Sequence, residues 1–284
     1  MTTLAPPCGE TGADQRFAPA RMRRTVLEMA YAGSTVHIAC AFSIIELVTV
    51  LYRSHLRYPG NDPRAEGRDY LILSKGHGVM AQYACMRELG WLKDSHIQGY
   101  FKDGSELKGL SDSRVPGLEV TSGSLGHGFS VGVGIAMGLQ RRGTHQKVYA
   151  IVGDGELNEG PIWEGALVAA HHKMDNLMLI VDKNGFQAMG TTDDVLGLGD
   201  LSAKFASFGF ETLEVDGHDE ASIDAAIRQL WTTGEGKPKA LIARTVKGKG
   251  VPFMESDNRW HYTRLNPQTF AEAIEALGFA GATK

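Results

Sequence analysis

The chain has 284 residues, 43% of them hydrophobic and 22% charged, with a formal net charge of −4. That balance suits a folded chain with a sizeable core and excludes a disordered polymer, while the lack of any lysine- or arginine-rich run excludes a nucleic-acid partner. No stretch approaches the roughly eighteen unbroken apolar residues of a membrane span, and MTTLAPPCGETGADQ has neither the basic start nor the apolar centre of a secretion signal, so a cytoplasmic location is expected.

Residues 1–16, rich in Pro, Gly and Thr, read as a mobile tail, and residues 17–284 as a single domain. Cys8, Cys40 and Cys85 are far apart and form no CxxC, as expected of reduced thiols, the latter two in the core. From Ala18 to Ala32 the spacing of Met22, Val26, Met29 and Ala30 predicts a helix closed by Gly33-Ser34. A second helix is expected with Ser43 as its N-cap and a buried stripe of Ile45, Leu47, Val48 and Leu51. The segment from Arg53 to Asp69 is then a polar excursion.

DYLILS predicts a strand that delivers SKGHG, placing His77 in a glycine-flanked turn at a strand end. A helix over Met80–Leu89 follows, then a long loop from Lys93 to Arg114. The small residues of TSGSLGHGFSVGVGIAMGLQRRG predict a loop and a closely packed helix ending at Arg141-Arg142-Gly143.

Val148–Val152 and Leu177–Val181 are nearly continuous apolar runs, as expected of parallel strands buried on both faces. Each ends in a polar turn, so Asp154 and Asn184 fall at the carboxyl ends of two strands, where ligands of open α/β sheets gather. Gly153 and Gly155 let the chain turn sharply around Asp154, and the helix that follows offers free N–H groups to a diphosphate. A carboxylate and an amide oxygen are hard ligands of the kind Mg²⁺ takes when phosphates and water complete its shell. By itself GDG is most often an ordinary strand-to-helix turn; the strand context and the second turn make it a candidate metal-diphosphate site.

Downstream, a helix over Leu201–Phe208, a strand over Glu211–Val215, a helix over Ser222–Trp231 and a strand over Lys239–Thr245 continue the alternation, with a last helix over Pro267–Leu277. The fold class is therefore α/β, a mostly parallel sheet with helices on both faces.

GDG followed about thirty residues later by an asparagine turn resembles the thiamine diphosphate fingerprint. That resemblance implies that Asp154, Asn184 and the Phe186 carbonyl hold Mg²⁺, with Ca²⁺ or Mn²⁺ able to substitute. Lys183 departs from the frequent asparagine at its position. More widely, GSTVHIACAFS, SKGHG, LEVTSGSLGHG, GDGELNEG and FMESDNRWH resemble, in this order, motifs of the amino-terminal half of transketolases. The resemblance covers residues 20–277 and looks closest to the stand-alone amino-terminal subunit of split transketolases.

It implies a thiamine diphosphate- and Mg²⁺-dependent transfer of a two-carbon ketol unit from a ketose, phosphorylated or related, to an aldose. Cofactor contacts carried over are His77, Gly123, Ser124, Leu125, Gly153, Asp154, Gly155, Glu156, Asn184 and His261. His37, His77 and His261 carry over as catalytic positions, imidazoles whose ordinary pKa suits proton exchange near neutral pH. Glu159 carries over as a residue that couples to the partner across the interface. The implied partner is a carboxyl-terminal transketolase subunit with the aminopyrimidine-binding domain, in a heterotetramer of two plus two chains.

Leu110 stands where transketolases usually have a histidine, and Gly126-His127-Gly128 where they have GQG, with His127 a candidate substitute for the lost ring. His55, His96, His145, His171 and His172 read as core or surface residues, and His218 as either a strand brace or a site residue. Two other functions stand beside the first: the alpha subunit of a 2-oxo acid dehydrogenase-type decarboxylase, and a non-catalytic thiamine diphosphate-binding subunit.

Overall fold

A computed structural model describes residues 15–33 and 36–279 of the chain. Most of the expected tail, with Cys8 and also Ser34, lies outside the described residues; Gln15–Phe17 form a short 3₁₀ turn that buries Phe17.

The first helix, α1 (Pro19–Ala32), ends at Gly33 as the spacing predicts. Two short helices follow, α2 (Ile38–Phe42) and α3 (Ile45–Val50), the latter running on into a π turn over Leu51–His55. Here the structure corrects the sequence reading twice. Every residue of α3, including Glu46 and Thr49, is buried, so the helix has no solvent face rather than a stripe. Ser43 does not cap it: the N-cap is Ile44 with no side-chain bond, and the Ser43 hydroxyl donates to the buried Asp182 carboxylate at 2.8 Å. A buried charge offers a stronger acceptor than a helix end offers a partner.

Strand β1 (Tyr70–Leu73) leads through a 3₁₀ turn at Gly76–Gly78 into α4 (Val79–Glu88), and α5 (Asp94–Gln98) is the one short helix of the next loop. Helix α6 (His127–Arg141) precedes β2 (Val148–Gly153), α7 (Gly160–His171), β3 (Leu177–Lys183) and a turn of helix that sequence patterning misses, α8 (Thr192–Leu196). The order closes with α9 (Leu201–Ser207), β4 (Glu211–Asp216), α10 (Glu220–Thr232), β5 (Lys239–Arg244) and α11 (Pro267–Ala276).

The five strands pair in the order β1-β2-β3-β5-β4, all parallel. Side chains alternate across the sheet. Leu71, Tyr149, Ile151, Met178, Ile180 and Leu241 pack with α1, α3, α4, α10 and α11, whereas Ile72, Val148, Ala150, Leu179, Val181 and Ile242 pack with α6, α7 and α9. Because the strands are parallel, every turn at their carboxyl ends opens on the same edge. A bridge between Val36 and Thr263, with Val36 N–H donating to the Thr263 carbonyl at 2.8 Å, folds the segment after β5 back over that edge.

Candidate active site

The carboxyl edge holds a cleft of about 690 Å³. The turn after β1 contributes Lys75 and His77, that after β2 Asp154, Gly155, Glu156 and Glu159, that after β3 Asn184, Phe186 and Gln187, and the segment after β5 Lys247 and His261. His37, at the start of α2, completes it.

Two buried carboxylates build the floor. Asp182 accepts hydrogen bonds from Lys75 Nζ, Ser43 Oγ (2.8 Å), Asn184 Nδ2 (2.9 Å) and the Thr245 hydroxyl. Burial would raise its pKa, but Lys75 and the hydroxyls hold it below the ordinary aspartate value, and Asp182 in turn keeps the buried Lys75 ammonium charged. Glu156 plays the second part: Oε1 accepts from Ser74 Oγ and Gly126 N–H (2.7 Å), and Oε2 from Gly153 N–H (3.2 Å). It borders the cleft, but both its oxygens are engaged inside the protein, tying three loops together.

Asp154 is 2% exposed and has no cation in hydrogen-bond range among the described residues. Its Oδ1 accepts from Gly155 N–H at 2.8 Å and its Oδ2 from Gly185 N–H at 2.6 Å, which clamps the β2 turn to the β3 turn. Burial, then the charge of Asp182, push its pKa up to about 7. An anionic group kept dry and short of positive charge is what a divalent cation relieves. The Asn184 amide sits in the clamped turn, and the Phe186 carbonyl accepts no hydrogen bond among the described residues. Among those residues no three His, Cys, Asp or Glu side chains gather as a metal cage. The one carboxylate, one amide and one carbonyl therefore suit a cation that takes its remaining ligands from phosphate and water. Gly155 is required for closeness, since a Cβ there would lie 2.8 Å from Gln187 Cγ, whereas Gly153 has room for one.

His37, His77 and His261 stand together, with ring centroids 5.1, 5.4 and 5.8 Å apart. They are not poised near neutrality as the sequence suggested. Burial, then Lys75 and Lys247, lower His37 to about 4; burial, then Lys247, lower His261 to about 3; His77 is lowered well below its ordinary value, chiefly by burial. All three are neutral imidazoles at pH 7.

Of the other expected residues, Gly123 and Leu125 line the cleft, while Ser124 between them is exposed and does not. Glu159 lies exposed at the rim, and its carboxylate makes no hydrogen bond among the described residues. His127 does not replace the ring lost at Leu110: it is exposed, its Nδ1 3.2 Å from the Leu125 carbonyl, whereas Leu110 lines the cleft and a neighbouring 330 Å³ cavity. His218 is a brace. Its Nδ1 is 3.0 Å from Glu46, itself paired with Arg23, and its Nε2 accepts from Val246 N–H at 2.7 Å.

Sequence reasoning missed Lys75, Asp182 and Lys247, and took Cys40 for a core residue only. Cys40 is buried but borders the cleft, with Sγ 3.5 Å from His261 Nδ1. A signal was present for Lys247, since it closely follows an apolar strand whose carboxyl end faces the site.

No helix among the described residues is long and apolar enough to cross a membrane. The thiamine diphosphate-binding domain of transketolase, as a family, matches residues 20–284. An apulose-4-phosphate transketolase subunit from Phocaeicola vulgatus is 36% identical over 255 residues, 90% of each chain. A 6-deoxy-6-sulfo-D-fructose transketolase subunit from a Clostridium species is 33% identical over 262 residues, 92% of this chain and 95% of that one. The crystal structure of a Campylobacter jejuni transketolase superposes with a TM-score of 0.87 at 26% identity, over 96% of this chain and 44% of that one, so the chain spans less than half of that longer protein. With the family matched over nearly its whole length, the chain belongs to the transketolase family, in the part that carries the thiamine diphosphate-binding domain.

Proposed function

We propose that this chain is the cofactor-binding subunit of a thiamine diphosphate- and Mg²⁺-dependent transketolase, transferring a two-carbon ketol unit from a ketose to an aldose. The observation that carries the reading is the clamp between Asp154 and the Asn184 turn beside three neutral histidines. Asp154, Asn184 and the Phe186 carbonyl would hold the metal, with His77, Gly123, Ser124, Leu125, Gly153, Gly155, Glu156 and His261 around the cofactor. Bound thiamine diphosphate supplies the electron sink for C–C cleavage.

The chain's own share is positioning, proton handling and exclusion of water. His37 and His77 offer uncharged imidazoles that hold sugar hydroxyls by hydrogen bonds. Leu110, Leu125 and Phe186 form an apolar wall that keeps water from the reacting centre. The two relatives described above are named for sugars that carry a phosphate or a sulfo group, which supports an anionic ketose as the donor class.

The relatives named as subunits support a second chain. Glu159 at the rim, and exposed Val131, Leu167, Leu196 and Met189 nearby, suit the face that receives it, in a heterotetramer of two plus two in the cytoplasm. The test is reconstitution with Mg²⁺ and thiamine diphosphate. The chain alone should give no ketol transfer, and the carboxyl-terminal partner should restore it; robust transfer by the lone chain would refute the two-chain reading.

A further inference from the structure

We propose that Lys247 is a positioning residue that fixes His261 as the Nε2–H tautomer, so that the ring presents a hydrogen-bond donor, not an acceptor, to the cleft. The inference adds a role to the proposed active site but rests on the chain's own hydrogen bonds.

Lys247 is 1% exposed, and its Nζ has three polar neighbours: two acceptors, Asn258 Oδ1 at 2.6 Å and the Gln187 carbonyl at 3.5 Å, and His261 Nδ1 at 2.8 Å. An ammonium carries three N–H bonds and no lone pair, so it can only donate to each of these three neighbours. The Asn258 amide is oriented independently, because its Nδ2 donates to the Ala188 carbonyl at 2.9 Å and so turns Oδ1 toward Lys247. The second neighbour of His261 Nδ1 is the Cys40 thiol, 3.5 Å away, which burial keeps protonated. The thiol can donate here or weakly accept, but the ammonium can only donate, so Nδ1 must accept. A neutral imidazole carries its single proton on the other nitrogen. Nε2 has no protein partner among the described residues, and the ring borders the cleft beside His37 and His77. It follows that His261 meets a ligand oxygen as a donor, and cannot act as the base that takes a proton from a sugar hydroxyl in this state.

The backbone supports the arrangement. Ser256 N–H donates to the Lys247 carbonyl at 2.9 Å, and the 3₁₀ turn Asn258–Trp260 delivers both Asn258 and His261 to one ammonium. Without the ammonium, Nδ1 would keep only the weak contact with the Cys40 thiol, and the ring would lose the contact that sets its rotation.

The experiment is long-range ¹H–¹⁵N correlation spectroscopy of the full chain at pH 7.5 without cofactor or partner, with the His261 ring assigned through its own backbone resonances in uniformly labelled protein. We expect a protonated Nε2 and an unprotonated Nδ1 shifted by hydrogen bonding, and in Lys247→Met a move of Nδ1 toward the resonance of a free imidazole nitrogen. A protonated Nδ1 in the unmutated chain overturns the proposal even if every variant misfolds, and so does a spectrum unchanged by a folded Lys247→Met. In the reconstituted enzyme, Lys247→Met should lower kcat/KM by roughly tenfold to a hundredfold. The double variant with His261→Gln should be no worse than His261→Gln alone, because the lysine acts through the ring. Losses that multiply would assign Lys247 a separate role and overturn the positioning claim. The spectroscopy stands whether or not ketol transfer is the reaction, so the two readings fail separately.

Discussion

The Gly185 amide donates to the Asp154 carboxylate across 2.6 Å, so two turns from neighbouring strands share one hydrogen bond at the floor of the cleft. Replacing Asp154 removes both the anionic oxygen and the clamp. Asp154→Ala, reconstituted with its partner, is expected to lose Mg²⁺-dependent thiamine diphosphate binding by calorimetry; unchanged affinity would remove Asp154 from the metal site.

His37→Ala and His77→Ala should retain the cofactor better than turnover. Acid–base and orienting contributions are typically worth about two to four powers of ten in rate, and steady-state kinetics beside cofactor titration separates the two losses. If both variants keep near-normal kcat with every donor, the rings serve the fold.

Acid should destabilise the cofactor-free chain earlier than its carboxylates alone would. His37 falls from 6.5 to about 4 and His261 to about 3 on folding, so as the pH drops the unfolded chain takes up these protons first. The stability held by the neutral rings is complete above pH 6.5 and is lost as the pH falls through the folded values. Calorimetric melting between pH 8 and pH 4.5 should show a decline that starts near 6.5 and is shallower in His37→Gln; identical slopes in the two proteins would contradict this.

Asp182→Asn leaves the Lys75 ammonium buried without its carboxylate, which costs about 3–5 kcal/mol for a pair of this kind. Urea denaturation should show that loss, and Lys75→Met combined with Asp182→Asn should recover part of it. A double variant as unstable as the sum of the singles would mean that the two residues act independently.

Leu167, on α7, is 59% exposed, on the surface assigned to the partner. Leu167→Asp is expected to leave the isolated chain folded while weakening association by tenfold or more in sedimentation velocity, since a charge desolvated at an apolar interface is costly. Association unaffected by the change would place the partner elsewhere.

The sheet was legible because its signals are local: short apolar runs, glycine turns and helical spacing alternate from Tyr70 to Arg244. Parallel alternation then places every strand's carboxyl end on one edge, which is why Asp154 and Asn184 could be brought together on paper. Lys75 and Lys247 were not legible as buried charges, because a lysine beside glycines carries no local mark of burial, which is decided by segments far away, such as the tail that returns along Val36 and Thr263. Ser43 failed for the same reason, its expected local bond giving way to one with Asp182, distant in sequence. Likewise the histidines could be counted in the sequence, but their low basicity comes from desolvation and from Lys75 and Lys247, whose burial no local pattern marks.

Glu156 gives the cleft an architecture with consequences for engineering. Its carboxylate is shared by Ser74 after β1, Gly126 before α6 and Gly153 at the end of β2, so the three loops form one castable piece rather than three interchangeable ones. Grafting the turn that carries Glu156 from a relative would put all these bonds at stake at once, whereas grafting the Ser74 or the Gly126 loop touches one; a chimera meant to change the accepted sugar should keep the glutamate together with its serine and amide donors.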